Sequence, residues 1–163
     1  MKPTSFKKYF LNCFVLTIPI LVWNILLTDK LPKTTKPEIL IQHISQLITY
    51  PENIIRIILF TMMAFMPIQI SKTIQKQGLF LFVFGTFIYF ISWLVLIYYP
   101  ESIWSKSAFG LLSPAYTPAL WLIGIGLIGD RFYFNLPYKR WIFISLSIIF
   151  LIFHNIHTYE IYF

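Results

Sequence analysis

Charge is scarce in this chain, and the scarcity decides its class. Charged residues make up 12% of 163, about half the share found in ordinary soluble domains. With 58% hydrophobic and 20% aromatic residues, too little polar surface remains to cover a water-soluble globule. Cysteine is nearly absent. Cys13 alone excludes an intrachain disulfide and any paired-thiol metal motif, and it does not follow the first apolar run, which argues against a lipoprotein leader. Acids are fewer than bases, 6 against 13, for a net charge of +7. In a soluble protein that imbalance suggests nucleic acid. Here the basic residues flank apolar runs, where they set topology and meet lipid headgroups, so membrane lipids are the expected partner and nucleic acid is not.

Long apolar runs are what the chain does have. A bilayer core about 30 Å thick needs roughly 20 helical residues at 1.5 Å rise. Five runs are read as spans, over 9–28, 52–70, 79–99, 114–129 and 141–159. Lys2, Lys7 and Lys8 precede the first as in a signal peptide, but the run is about 19 residues long, beyond a signal core, and no small-x-small site follows. It is expected to be retained, with a kink at Pro19. Residues 38–49 alternate Ile and Leu with Gln42, His43, Ser45 and Gln46 at helical spacing. This segment is too short to span and suits an amphipathic helix lying in the interface. Tyr50-Pro51 is expected to end it, with Pro51 opening the second span.

The expected fold is therefore all-α: a polytopic membrane helix bundle, one domain over 1–163, with five transmembrane helices and one interfacial helix. Placing the N-terminus inside puts Lys2, Lys7, Lys8, Lys72, Lys76, Arg131, Lys139 and Arg140 on the inner side. Lys30, Lys33, Lys36 and Lys106 then lie outside. That bias gives N-in, C-out in a cell (inner or plasma) membrane.

Gly124, Gly126 and Gly129 form a G-x-G-x-x-G string. No strand precedes it and it lies inside an apolar span, so it is read as close helix packing rather than a dinucleotide site. On the outer side His154 and His157 stand three apart, followed by Glu160. Imidazoles at that spacing share a helix face, and with a carboxylate they suit acid–base work or an ion. His154, His157 and Glu160 are the candidate catalytic residues; His43, His154 and His157 are the candidate metal ligands. No cofactor is expected unless the histidines bind an ion, for which a divalent metal such as zinc is suited.

Arg56, four residues after Glu52, either pairs with it at the interface or binds an anionic group with Asn53. Cys13, Thr17 and Asn24 share one face of the first span; Gly85, Tyr89 and Ser92 share one face of the third, with Trp93 adjacent. Residues 99–118, rich in Ser, Pro and aromatics, make an outer lip carrying Trp104 and Tyr116. Arg56, Tyr89, Trp93, Trp104 and Tyr116 are the candidate ligand-binding residues.

Three functions compete. The first is binding, or helping to move, a lipid or lipophilic small molecule through an outer-leaflet pocket. The second is an accessory subunit or assembly factor of a membrane complex. The third is a small intramembrane metal- or His-dependent enzyme acting on lipid-like substrates. Five spans without an internal repeat are few for an independent transporter, so association with itself or a larger membrane partner is expected.

Overall fold

A computed structural model describes residues 10–32, 46–134 and 136–163. Among them there is no strand, only an isolated antiparallel bridge between Asn12 and Pro67. Helix α1 (Ile18–Leu27) is flanked by 3-10 turns, Cys13–Thr17 and Thr28–Lys30. Pro19 sits in its first turn. Instead of kinking a helix midway, it stands where the tighter 3-10 turn widens into α, and its missing N–H costs little there.

Helix α2 (Gln46–Phe65) runs straight through Pro51, so the break expected at Tyr50-Pro51 is absent. The ring fixes a helical φ and forfeits one backbone bond, which the helix absorbs. Residues 46–49 of the expected interfacial helix thus belong to α2, and 38–45, with His43, lie outside the described residues. At its far end α2 stops at Phe65, short of Ile70. Met66 precedes a proline, which disfavours the helical region, and this segment pairs with the start of the first span. Cys13 N donates to Met66 O at 2.8 Å and Ile68 N donates to Leu11 O at 3.0 Å.

Helix α3 (Thr73–Tyr98) begins before its apolar run because the buried Gln75 caps it. Gln75 Oε1 accepts from the N–H groups of Ser71 and Lys72, each at 3.0 Å, and Nε2 donates to Ile128 O at 3.3 Å. Beyond α3 the chain makes three single turns, α4 (Ile103–Lys106), α5 (Ala108–Leu111) and α6 (Ser113–Tyr116). Ser102 and Ser107 cap the first two. Helices α7 (Pro118–Ile128) and α8 (Arg140–Tyr162) complete the chain.

Among the described residues, four helical segments are long and apolar enough to cross a membrane: Cys13–Lys30, Gln46–Phe65, Thr73–Tyr98 and Arg140–Tyr162. The fifth apolar segment, Ser113–Ile128, is shorter. It rises about 24 Å as helix, several ångströms less than a bilayer core.

Helix α3 packs along α7, and α8 packs against α2 and α7. Glycine permits the first contact. A Cβ on Gly85 would lie 2.6 Å from Trp121 N, and one on Gly124 would lie 2.5 Å from Phe82 N. Gly126 faces Phe143 and Ile144 of α8, and Gly129 faces the Met66 side chain. The glycine string therefore serves three different neighbours, as close packing requires. Polarity is distributed inside out. Phe80, Trp141 and Ile103 are exposed, the last by 92%, whereas Thr17, Glu52, Gln75, Ser113 and Ser147 are buried. That pattern suits a hydrocarbon solvent.

Candidate functional site

The site is built where α2 meets α8. Residues one turn apart share a helix face, so α2 presents Glu52 and Arg56 together and α8 presents His154 and His157. Glu52 is 1% exposed. Its Oε1 lies 2.9 Å from His154 Nδ1 and its Oε2 lies 2.5 Å from His157 Nδ1. Arg56 pairs with Oε1 through Nη2 and donates from Nη1 to Asn53 Oδ1 at 3.0 Å. A carboxylate can only accept. Each imidazole therefore turns an Nδ1–H toward Glu52 and keeps Nε2 for a proton or an ion.

Phe150 braces the cluster from one turn below. Its ring stacks on His154 at 5.3 Å and 10°, and Arg56 Cζ lies 5.6 Å from the same ring. Asn155 donates to Leu151 O at 2.7 Å and to Ala115 O at 3.2 Å, fastening α8 to α6.

Arg56 and His154 also line a partly open cavity of about 340 Å³ bordered by residues of α1, α2, α3, α6, α7 and α8. Its walls are mainly apolar, with Leu59, Phe60, Trp121 and Phe150 among them, and Pro114 and Pro118 also line it. Asn24 and Tyr89 also line it, joined by Tyr89 O–H donating to Asn24 Oδ1 at 2.6 Å. The polar residues of the lining are Thr17, Asn24, Arg56, Tyr89 and His154.

The sequence candidates separate accordingly. Arg56, Tyr89 and His154 line the cavity. Trp93 is buried behind Tyr89, edge-on at 5.9 Å. Trp104 and Tyr116 both pack on Phe109, at 5.5 and 4.9 Å, outside the cavity lining. His154 and His157 converge on Glu52, whose role in joining them the sequence did not reveal. Glu160 stands half-buried one turn beyond His157. Among the described residues no three His, Cys, Asp or Glu side chains are grouped to hold a metal, and His43 lies outside those residues.

Comparison with protein families, curated proteins and solved structures finds no match to this chain.

Proposed function

We propose that the protein binds, or helps to move, a lipid or lipophilic small molecule, and that the cavity beside Glu52 and His154 is where it is held. In this reading the chain crosses a cell (inner or plasma) membrane five times, N-in and C-out, with Ser113–Ile128 as the short fifth span. The observation that carries the reading is the cavity: mainly apolar walls carrying a few polar groups suit an amphiphile.

The test is retention. Protein purified from its host membrane and exchanged into detergent should release a lipophilic molecule on denaturation, as read by mass spectrometry. Leu21 lines the cavity and is half-buried. Leu21→Trp should fill the space and abolish retention while the helical circular dichroism is kept. Equal retention by the variant would sink the proposal.

The contact between Glu52 and His154 favours a second reading, in which the same pocket is an enzyme's. A carboxylate on Nδ1 fixes the orientation and tautomer of the imidazole, leaving Nε2 to face a substrate. His154 would then be general base toward a lipid-like substrate, with Glu52 as its positioning residue. Mass spectrometry of lipid extracts from cells making wild type or His154→Gln tests this. A species that changes only with the wild type supports it, and identical extracts count against it.

A further inference from the structure

We infer that the molecule held in this cavity is an amphiphile with an acidic oxygen head group, carboxylate or phosphate, received by Arg56 and His154. This rests on the lipophile-binding reading and specifies its ligand. Among the described residues the lining holds a guanidinium and an imidazole but no carboxylate. Glu52, the acid beside them, is 1% exposed and stands outside the lining. It already accepts from Arg56, His154 and His157. The indole nitrogens of Trp93 and Trp121 are sealed inside the protein and reach no ligand. His154 Nε2 and Arg56 Nε are neither sealed in this way nor bonded among the described residues. A guanidinium has five N–H donors. The bonds to Asn53 and Glu52 use two of the five, so three remain for a ligand.

Both groups are held ready by one ring. Phe150 stacks on His154 and carries the Arg56 guanidinium over its face, so much of the side-chain ordering precedes binding. Charge then decides the head group. Arg56 is always charged and Glu52 cancels that charge, which leaves the neutral His154 as the place for one further proton. An acidic head group supplies it. Its O–H bond breaks and an N–H bond forms at His154 Nε2. The bound state then holds two anions, Glu52 and the head group, against two cations, Arg56 and His154. The site is neutral before and after, and charge in apolar surroundings is tolerated only when paired. A neutral ester has no proton to give, and an amine would set a second cation beside Arg56. Fatty acids and acidic phospholipids both present the group required.

The experiment uses the full-length protein in phosphatidylcholine nanodiscs and three probes with one tail: dodecanoate, dodecyl phosphate, and the uncharged methyl dodecanoate. Saturable binding above that of empty nanodiscs is read by equilibrium dialysis. At least one acidic probe should bind about tenfold more tightly than the ester, because charge-assisted hydrogen bonds are roughly twice as strong as neutral ones. A preference for the carboxylate or for the phosphate identifies the source, and either supports the inference. Arg56→Gln and His154→Gln should each reduce the preference by about threefold to tenfold. Two variants guard against one that fails to fold. Leu21→Trp leaves the surface charge unchanged and should abolish saturable binding of all three probes. If the ester binds as well as both acids, or if the preference survives both polar variants, the acidic-head inference is overturned and the lipophile pocket stands. Acid binding that survives Leu21→Trp is attraction to the basic surface and overturns the inference too. If no probe binds, the pocket reading itself fails, and the inference with it.

Discussion

Glu52 and His154 stand 102 positions apart in the chain and 2.9 Å apart in the fold. That contact joins α2 to α8, and with the His157 contact it buries a carboxylate among three nitrogen-bearing side chains. Removing the acid while keeping its neighbours tests how much of the bundle depends on it. Glu52→Ala strands Arg56 and both imidazoles, and breaking a buried charge pair costs about 3–5 kcal/mol. Arg56 is 38% exposed and can reach headgroups, so the lower end of that range is expected. Glu52→Gln, which keeps the shape, should cost about 1–2 kcal/mol. Thermal unfolding in detergent checks the order; equal melting of both variants and wild type would contradict it.

Glycine substitutions should rank by what their new methyl group meets. Gly85→Ala and Gly124→Ala drive a Cβ into backbone atoms of the facing helix, so α3 and α7 must separate. Overpacking of this kind costs about 1–3 kcal/mol. Gly129→Ala meets only the flexible Met66 side chain, at 2.8 Å, and should cost well under 1 kcal/mol. Melting midpoints of the three variants measure this, and Gly129→Ala as the worst of them would be the wrong result.

The proposed orientation is open to chemical labelling. Cys13 is fully buried and should not react. In a Cys13→Ala background, Lys106→Cys should be modified by a membrane-impermeant maleimide added to intact cells, and Lys76→Cys only after lysis. Both positions are exposed. The opposite pattern would reverse the proposed topology.

Much of this fold was legible because a bilayer imposes one simple requirement, long apolar helices. The spacing of Cys13, Thr17 and Asn24 on one helix, and of Gly85, Tyr89 and Ser92 on another, marked faces that do turn inward. Helix ends were less legible. Gln75 extends α3 through polar residues by capping it, and Pro51 sits inside α2 without breaking it; both outcomes depend on neighbours that local sequence does not name. The site was half legible. His154 and His157 showed as a pair from their spacing, and Glu52 showed as a partner of Arg56 four residues away. That the two pairs are one cluster depends on α2 and α8 being neighbours, which nothing in either segment encodes. Trp104 and Tyr116 were read as lip residues from composition, yet Phe109 gathers them into a separate aromatic group.

The central claim is that the space between Trp121, Phe150 and the Asn24–Tyr89 pair holds a lipophilic molecule. An experimental structure of the protein in nanodiscs made from native lipid tests it most directly. The account predicts non-protein density running along Leu59 and Phe150, its polar end toward Asn24, Arg56 or His154, with Glu52 still bonded to both histidines. A cavity closed by the side chains of Leu21 and Phe60, or filled by water alone, would contradict it.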